Sequence, residues 1–330
     1  MFKTQVGQAA RLSVAPMMDW TDRHCRYLHR LMSRNMLLYT EMVTAPALVR
    51  GGALHLLEFN TEEHPIALQL GGSDPQELAK AAKLGQDAGY DEINLNVGCP
   101  SDRVQSGTFG AVLMKTPVLV AECCSAMRAA VGIDVTVKCR IGVDDQEPSE
   151  ILPEFLSCVS QSGVTRFAIH ARKAWLEGLS PKENRDTPPL DYELVLQMKR
   201  LFPALHISVN GGIISLEQAQ GFLETGLDGV MIGRAAYNQP SEILAMADKV
   251  IFGDGEICDP IQIVHQMLPY IEAHMINGGK LNQITRHMLG LFAAKPGARA
   301  WRRILSERSH ISGSELVLEA LAHVECQQAA

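Results

Sequence analysis

The sequence predicts a (β/α)₈ TIM barrel followed by a C-terminal all-helical domain. Two observations carry this prediction: short β-branched or apolar runs alternate with amphipathic stretches over the first 235 residues, and no such run follows Pro240. Eight units of strand and helix are the number that closes a parallel barrel. The candidate strands are Leu12 to Met18, Leu37 to Thr44, Pro65 to Leu70, Glu92 to Val97, Asp134 to Arg140, Arg166 to His170, His206 to Asn210 and Gly229 to Ile232.

Residues that cap helices mark the boundaries between these runs. Asp74 stands before Pro75 at the first helical position, and Gly89 ends the same predicted helix. Ser215 and Gln218 form a capping-box pattern at the start of another. The candidate strands are too apolar to leave one face of a sheet in water, which favours parallel strands covered by helices.

An open, doubly wound parallel sheet is the competing fold. Such a sheet typically carries a G-x-G-x-x-G turn after its first strand, and the sequence has none there. Polar and reactive residues follow nearly every candidate strand instead. A barrel gathers the carboxyl ends of its strands around one mouth, so this pattern favours the barrel.

The rest of the chain is predicted to be helical. The candidate helices are Ser241 to Phe252, Ile261 to Asn277, Asn282 to Ala293, Ala298 to Ser306 and Ser314 to Glu325. We place a boundary near residue 240, with a catalytic barrel at 1–240 and a helical domain at 241–330. This tail is either a small bundle that binds a partner or an extension that closes the barrel.

Composition places the chain among globular proteins. Its 330 residues are 46% hydrophobic and 20% charged, which excludes disorder throughout the chain. The formal charge of −7 disfavours nonspecific coating with nucleic acid. No apolar stretch approaches a membrane span and residues 1–10 lack a signal-peptide core, so we expect a cytoplasmic protein. The eight cysteines include no C-x-x-C pair and no histidines at zinc spacing, so no metal site is expected.

The ends of the last two candidate strands indicate a phosphate-bearing ligand. Asn210-Gly211-Gly212 and Gly233-Arg234 follow these strands, where barrels commonly bind phosphate. Glycine lets a ligand approach the backbone closely. Glycine-rich turns are also common without any ligand, which is the alternative interpretation of this motif.

Other strand ends indicate a flat, electron-rich ring. Lys138 and His170, on neighbouring strands, can place positive charge and hydrogen bonds around a reduced, anionic flavin. Pro16 to Met18 would then provide an apolar floor, and Gln69 a polar edge. Alternatively, Lys138 can form a Schiff base, as in barrel aldolases.

Cys99 lies on a turn between Gly98 and Pro100, after the fourth candidate strand. A buried structural cysteine is the ordinary alternative, but on a rigid exposed turn a thiol can act as an acid or a nucleophile. No histidine stands near Cys99 in the sequence. This favours a neutral thiol that donates a proton over a protease-like thiolate.

Seven short motifs follow one another along the predicted barrel. They are Ala15-Pro16-Met17-Met18-Asp19, Gln69-Leu70-Gly71-Gly72, Asn94-Leu95-Asn96-Val97-Gly98-Cys99-Pro100-Ser101, Lys138-Cys139-Arg140, His170-Ala171-Arg172, Asn210-Gly211-Gly212-Ile213 and Gly233-Arg234. Together they resemble the tRNA-dihydrouridine synthases. Val143 to Gln146, Lys173 to Arg185 and Pro188 to Tyr192 resemble the bacterial A branch of that family. One departure is Val112, where many relatives carry a cysteine that is not the acid.

The resemblance implies an FMN enzyme that reduces the C5–C6 double bond of uridine at positions 20 and 20a of the tRNA D-loop, with NADPH reducing the flavin. Hydride would pass from flavin N5 to uracil C6, and Cys99 would protonate C5. The residues implied to contact FMN are Pro16, Met17, Met18, Gln69, Lys138, His170, Asn210, Gly211, Gly212, Gly233 and Arg234. Those expected to contact the substrate nucleotide or tRNA are Asn96, Arg140, Arg172, Lys182, Arg185, Arg299 and Arg302, with Arg303 beside them.

Further expectations concern how tRNA is held. The target base must leave the stacked loop to reach the flavin, and we expect the segment between Cys99 and Thr116 to act as a lid. Residues 280–308 carry a net charge of +6, against −13 for the rest, which favours a phosphate-facing stripe over a merely solvated helix face. We expect a monomeric enzyme.

Three alternatives stay open at this point. An FMN barrel resembling dihydroorotate dehydrogenase would act on a free pyrimidine, but it leaves the helical tail unexplained. A noncatalytic tRNA-binding or chaperone protein would have a structural Cys99 and no flavin spectrum. A Schiff-base aldolase using Lys138 would be colourless and trapped by borohydride.

Overall fold

The computed structural model describes residues 5–100 and 109–328. In these residues nine strands, paired in parallel, form one sheet. They are β1 (Leu12–Val14), β2 (Leu38–Tyr39), β3 (Val43–Thr44), β4 (Ile66–Gly71), β5 (Glu92–Val97), β6 (Asp134–Arg140), β7 (Arg166–His170), β8 (His206–Asn210) and β9 (Gly229–Ile232). The last five have the bounds that the sequence predicted.

The sheet closes into a barrel. Each strand from β4 to β9 pairs with the next, β9 pairs with β1, and β2 pairs with β4. The ring closes at Leu37, which donates a hydrogen bond to the carbonyl oxygen of Leu12 and accepts one from Val14, both at 3.1 Å. The predicted (β/α)₈ barrel is therefore confirmed.

The second predicted strand is two short strands. β2 pairs with the start of β4 and β3 with its end. Between them, the hydroxyl of Thr40 accepts a hydrogen bond at 3.0 Å from the backbone N–H of Gln69, which replaces a ladder bond. The first predicted strand also ends early, because the backbone turns at Met17, whose carbonyl accepts from the N–H groups of Trp20 and Thr21.

Helices cover the outside of the barrel and form the C-terminal part. They are α1 (Gln5–Ala9), α2 (Arg23–Met32), α3 (Ala45–Val49), α4 (Pro75–Ala88), α5 (Pro117–Ala130), α6 (Pro148–Ser160), α7 (Tyr192–Leu201), α8 (Leu216–Glu224), α9 (Arg234–Asn238), α10 (Pro240–Ile243), α11 (Pro260–Ile276), α12 (Leu281–Met288), α13 (Ala298–Arg308) and α14 (Glu315–Gln328). Short 3₁₀ turns span Leu54–Leu57, Thr61–Glu63, Gly110–Lys115 and Glu183–Arg185. Within residues 5–100 and 109–328, no helix has the length and apolar character needed to cross a membrane.

The predicted caps form as expected. Asp74 accepts a hydrogen bond from the N–H of Glu77 at 2.8 Å, and Gly89 ends α4 with φ at 104°. The hydroxyl of Ser215 accepts from the N–H of Gln218 at 3.1 Å at the start of α8. These caps satisfy backbone N–H groups that a helix leaves unpaired at its first turn.

The helix predicted at 241–252 is interrupted. α10 is followed by a π-helical turn at Asp248–Phe252. The Asp248 carboxylate accepts hydrogen bonds from the Ser33 hydroxyl at 2.6 Å and the backbone N–H of Arg34 at 2.8 Å. These bonds tie the segment to the end of α2, so tertiary contacts set its path.

The strands leave no face in water, as expected, and part of the barrel interior is polar. Glu92, Asn94 and Asn96 alternate along β5 and are all buried. Ile93, on the opposite face of β5, lies against Gly85 of α4. The strands are apolar where they face the helices, whereas polar and apolar side chains both face the barrel axis.

The C-terminal helices pack against the barrel at α2. Asp22, which caps α2, accepts a hydrogen bond from Arg286 at 2.6 Å and lies 3.0 Å from His287 Nε2, both on α12. Trp301 of α13 is buried and donates from Nε1 to the carbonyl oxygen of Met288 at 2.9 Å. One buried apolar cluster extends from the barrel into these helices. The domain boundary at residue 240 stays a prediction.

Candidate active site

The strand-end residues singled out from the sequence lie at one mouth of the barrel. His170 is the register partner of Arg140 on one side and of Asn210 on the other, and Lys138 is the partner of Asn96. The predicted flavin-contact residues lie on or directly after the strands as follows: Pro16, Met17 and Met18 after β1, Gln69 in β4, Lys138 in β6, His170 in β7, Asn210 in β8 with Gly211 and Gly212 after it, and Gly233 and Arg234 after β9.

Lys138 provides a half-buried positive charge at this mouth. Its ammonium donates to Asn210 Oδ1 at 3.2 Å. Burial lowers the pKa of Lys138 to about 8, and the nearby charge of Arg140 acts in the same direction. The amine therefore remains mostly protonated at neutral pH and can attract an anionic ring.

His170 lies beside Lys138 and has an unused polar atom. Burial, followed by the charges of Arg140 and Lys138, lowers the pKa of His170 well below its usual value, so the ring is neutral. Its Nε2 is buried and makes no hydrogen bond to any residue in the described ranges. A buried polar atom without a partner is costly, which points to a ligand group at this position.

Two glycines leave room next to this histidine. Gly211 and Gly212 have φ angles of 108° and 69°. A Cβ on Gly211 would lie 2.6 Å from His170 Cδ2, and one on Gly212 would lie 2.5 Å from Leu190 Cδ1. Only glycine combines these φ angles with this space. The glycine turn, the neutral His170 and the cationic Lys138 fit a flat ring with a phosphate tail.

The turn that carries Cys99 is held by its own strand and by the next one. The N–H groups of Gly98 and Cys99 donate to Asn96 Oδ1 at 3.0 and 2.9 Å. The carbonyl oxygen of Cys99 accepts from the N–H of Ala111 at 2.9 Å, and Arg140 Nε donates to the carbonyl oxygen of Gly98 at 3.0 Å. The half-buried thiol is thus carried on a fixed backbone.

The proposed lid falls partly on residues 101–108, which lie outside the described residues. Its described part is the 3₁₀ turn Gly110–Lys115. Ala111, Leu113 and Met114 are buried in this turn, and Lys115 forms an ion pair with Asp144 at 2.6 Å. This portion is therefore packed against the barrel.

Arg140 and Arg172, expected to contact the substrate nucleotide or tRNA, donate hydrogen bonds to backbone carbonyl oxygens. Arg140 Nη1 donates to the carbonyl oxygens of Lys173 and Asn184, both at 2.9 Å. Arg172 Nη1 donates to the carbonyl oxygens of Asp186, at 3.3 Å, and Pro188. Both guanidinium groups thus hold the loop at residues 173–188, which follows β7.

Asn184 is a buried residue that sequence reasoning missed. Its Oδ1 accepts from the N–H of Trp175 at 2.7 Å, and its Nδ2 donates to the carbonyl oxygens of Trp175 at 2.8 Å and Leu179 at 3.1 Å. Asn184 therefore organises the loop from within. An asparagine in a polar loop carries no sequence signal of such a role.

Lys182 and Arg185, the predicted tRNA contacts of this loop, are exposed. Asp186 of the same loop forms an ion pair with Arg234 at 2.6 Å, which places the loop beside the end of β9. Lys182 and Arg185 thus lie on a loop that reaches the end of β9 at the mouth.

The basic tail segment is partly neutralised. Arg286 pairs with Asp22, Lys295 with Glu242, and Arg308 with Glu319. The arginines of α13 that are exposed and form no ion pair within residues 5–100 and 109–328 are Arg299, Arg302 and Arg303. Their spacing of three and four residues places them on one exposed face of α13. The positive stripe is therefore narrower than the net charge of +6 suggested.

Glu92, Thr136 and Arg166 form a polar cluster inside the barrel that sequence reasoning also missed. Arg166 Nη2 donates to Glu92 Oε2 at 2.5 Å, and the Thr136 hydroxyl donates to Glu92 Oε1. In the sequence, the cluster is indicated by polar residues that alternate with apolar ones along β5 and β6. These polar residues lie before the carboxyl ends of the strands, where the predicted site residues are.

Comparison with known proteins identifies relatives over nearly the whole chain. The profile of the dihydrouridine synthase (Dus) family matches residues 13–328. Three similar proteins are named tRNA-dihydrouridine(20/20a) synthase. The one from Shewanella oneidensis is 57% identical and the match covers 99% of this chain and 98% of the relative. The one from Vibrio cholerae is 58% identical, and the match covers 97% of this chain and 98% of the relative. The one from Escherichia coli K12 is 59% identical, and the match covers 96% of this chain and 92% of the relative.

A solved structure supports the barrel. The old yellow enzyme homologue from Zymomonas mobilis superposes with a TM-score of 0.54 at 12% sequence identity, covering 76% of this chain and 90% of that chain. At this identity the likeness concerns the fold alone. The predicted enzyme class, a flavin-dependent oxidoreductase, follows from the family match and is confirmed. The chain belongs to the dihydrouridine synthase family.

Proposed function

We propose that this enzyme reduces the C5–C6 double bond of uridine at positions 20 and 20a of tRNA. The family match and the printed names of three relatives support this substrate. The proposed chemistry rests on one structural observation at the mouth of the barrel. A fixed turn bearing Cys99 stands at the same end of the barrel as the Lys138, His170 and Gly211 pocket.

We propose FMN as the flavin of this pocket. The unused Nε2 of His170 and the ammonium of Lys138 would hold the ring, with Gln69 and Pro16 to Met18 along it. The phosphate would be held by Asn210, Gly211, Gly212, Gly233 and Arg234. When bound and reduced, FMN supplies a hydride, and we propose NADPH as the source of its electrons.

Cys99 delivers the proton. Hydride adds to C6 of uracil, and the hydrogen of the Cys99 thiol adds to C5, so that the pyrimidine gains two hydrogens and two electrons. The resulting thiolate recovers its proton from solvent. Asn96 and Arg140 keep the turn in place through their bonds to Gly98 and Cys99. A thiol can supply a proton only if it is held within hydrogen-bond reach of the carbon.

tRNA is held by exposed basic residues. Lys182 and Arg185 lie on the loop at residues 173–188, and Arg299 and Arg302 on α13. We propose that both sets contact phosphates, which would make binding depend on salt concentration. A monomeric enzyme acting in the cytoplasm fits this substrate.

Mass spectrometry of tRNA tests the proposal. A bacterial strain that lacks dihydrouridine at positions 20 and 20a is complemented with this protein or with Cys99→Ala. We expect dihydrouridine to return at both positions with the wild-type chain and not with the variant. Absence of dihydrouridine with both chains, or its appearance only at other positions, would refute the proposed specificity.

A second measurement separates the free-pyrimidine alternative. Purified flavin-loaded protein is mixed with NADPH and either tRNA, uracil or orotate. We expect oxidation of the reduced flavin by tRNA alone. Rapid oxidation by uracil or orotate would favour the free-pyrimidine reductase.

A further inference from the structure

A buried ion pair lies at the opposite end of the barrel from Cys99. Glu92 begins β5 and Arg166 begins β7, so both stand at the amino ends of their strands. Arg166 Nη2 lies 2.5 Å from Glu92 Oε2, and both side chains are buried. Tyr39 donates to the other oxygen, Glu92 Oε1, at 3.0 Å. Burying a carboxylate costs free energy, so the presence of this ion pair inside the barrel requires a physical explanation.

An unbroken series of side-chain hydrogen bonds leads from this pair to the catalytic turn. The Thr136 hydroxyl donates to Glu92 Oε1, and Asn94 Nδ2 donates to Thr136 Oγ1 at 2.8 Å. Gln69 Nε2 donates to Asn94 Oδ1 at 2.8 Å, and Asn96 Nδ2 donates to Gln69 Oε1 at 2.8 Å.

The series ends at the turn itself. Asn96 Oδ1 accepts from the backbone N–H groups of Gly98 and Cys99 at 3.0 and 2.9 Å. Because Glu92 and Asn96 lie four residues apart on β5, the series covers about 13 Å along the strand. It joins the bottom of the barrel to its mouth.

In every hydrogen bond of this series, the acceptor is the group nearer to Glu92 along the series and the donor is the group further from it. A carboxylate only accepts, so Thr136 must donate to it and must therefore accept from Asn94. Asn94 then presents its oxygen to Gln69. Gln69 in turn presents its oxygen to Asn96, and Asn96 presents its oxygen to the turn. The carboxylate of Glu92, which only accepts, and the N–H groups of the turn, which only donate, therefore favour the same orientation of the three side-chain amides from the two ends of the series.

We propose that Glu92, through Thr136 and Asn94, is a positioning residue that orients Gln69 and Asn96 and thereby holds the Cys99 turn. This inference rests on the proposed function, in which Cys99 protonates C5. It also explains the ion pair, since burial raises the pKa of Glu92 and the guanidinium of Arg166, 2.5 Å away, opposes that rise. Reversal of a single amide would place an N–H group of Asn96 against the N–H groups of the turn.

Thr136→Val tests the proposal without disturbing the ion pair. Valine keeps the shape of threonine but removes the hydroxyl, so Asn94 loses the bond that fixes its orientation. Tyr39→Phe is the matched control, because it removes a hydrogen bond to the same carboxylate oxygen but lies outside the series. Thr136→Ser retains the hydroxyl, so its amide exchange and its rate of flavin oxidation by tRNA should match those of the wild type. Thermal unfolding of the flavin-loaded proteins shows that each variant folds.

Amide hydrogen exchange measured by NMR is the direct readout. In Thr136→Val we expect exchange at Gly98 and Cys99 to become about tenfold faster, the size of one lost hydrogen bond. Tyr39→Phe and Thr136→Ser should exchange as the wild type does. Oxidation of reduced flavin by tRNA should slow about tenfold in Thr136→Val, with a larger solvent isotope effect, while flavin reduction by NADPH stays within about twofold.

The outcomes separate this inference from the proposed function. If exchange at Gly98 and Cys99 in Thr136→Val matches that of Tyr39→Phe, the positioning series is refuted. If Cys99→Ala oxidises reduced flavin with tRNA at the wild-type rate, protonation by Cys99 is refuted, whatever the exchange data show. Faster exchange together with slower tRNA-dependent oxidation, both reversed by serine, supports the proposal.

Discussion

Arg140 Nε donates a 3.0 Å hydrogen bond to the carbonyl oxygen of Gly98 and so joins β6 to the turn that carries Cys99. The same guanidinium binds two carbonyl oxygens of the loop at residues 173–188 from Nη1. One buried side chain therefore holds two loops of the mouth in a defined relation. Its planar fork of donors suits this task.

Arg140→Lys should loosen both loops. A lysine ammonium cannot reach three carbonyl oxygens from one planar group, so charge-assisted hydrogen bonds are lost. We expect the free energy of unfolding to fall by roughly 2 kcal/mol and turnover on tRNA to fall about tenfold, with flavin content unchanged. Urea denaturation and single-turnover kinetics measure these effects. Unchanged stability with a raised KM for tRNA would instead indicate a direct contact to substrate.

Cys99→Ala should keep the flavin and its reduction by NADPH but lose most dihydrouridine formation. Removal of a general acid typically costs about 100-fold or more in rate. Single-turnover oxidation of the reduced flavin by tRNA measures the loss. Cys158→Ala is the control, since Cys158 is also half-buried but lies on α6. Near wild-type turnover in Cys99→Ala would contradict the proton-donor role.

Gly211→Ala should empty the flavin pocket. The new Cβ would lie 2.6 Å from the His170 ring, at a φ of 108° that alanine resists. We expect a loss of stability of about 2 kcal/mol and much lower flavin content, measured by absorbance of the purified protein. Gly221→Ala, on α8 with open space around it, should keep its flavin. Full flavin content in Gly211→Ala would argue against the pocket.

Lys182→Ala combined with Arg185→Ala should weaken tRNA binding at unchanged flavin content. Loss of two phosphate contacts should reduce the slope of log affinity against log salt concentration by about 2. A binding titration at several salt concentrations measures this slope. The control removes Lys80 and Lys249, which are exposed on α4 and on the π-helical turn. If the double variant has the same slope as the wild type, Lys182 and Arg185 do not contact tRNA phosphates.

Mild acid should destabilise the protein through its buried histidines. Burial lowers the pKa of His24 to about 4 and that of His29 to about 3, so both are neutral when folded at pH 5. The unfolded chain protonates each below about pH 6.5, so their contribution is fully present above that pH and is lost as the pH falls toward 4. Between pH 7 and pH 5 we expect a loss of about 2 kcal/mol per histidine.

Urea denaturation at both pH values checks this expectation. His29→Gln should show a smaller loss on acidification than the wild type, because one titrating group is removed. A free energy of unfolding that does not change between pH 7 and pH 5 would contradict the prediction.

Much of the barrel was predictable because local patterns specify it. The strands from β5 to β9 have the predicted bounds, since their apolar runs end at turn residues. β2 and β3 were not predictable as separate strands, because the break depends on a hydrogen bond between Gln69 and Thr40. The strand-end residues were predictable as one site because parallel strands in a barrel end at the same mouth.

The sequence by itself determined the barrel, the family and the set of residues around the mouth, because residue type, order and spacing are local properties. Only the tertiary structure decided the partners of those residues. Arg166 and Glu92 are 74 positions apart, and closure of the barrel brings them within 2.5 Å. Arg140 of β6 donates to the carbonyl oxygen of Gly98, 42 positions away, for the same reason. This bond joins groups whose meeting depends on how the strands close around a common axis.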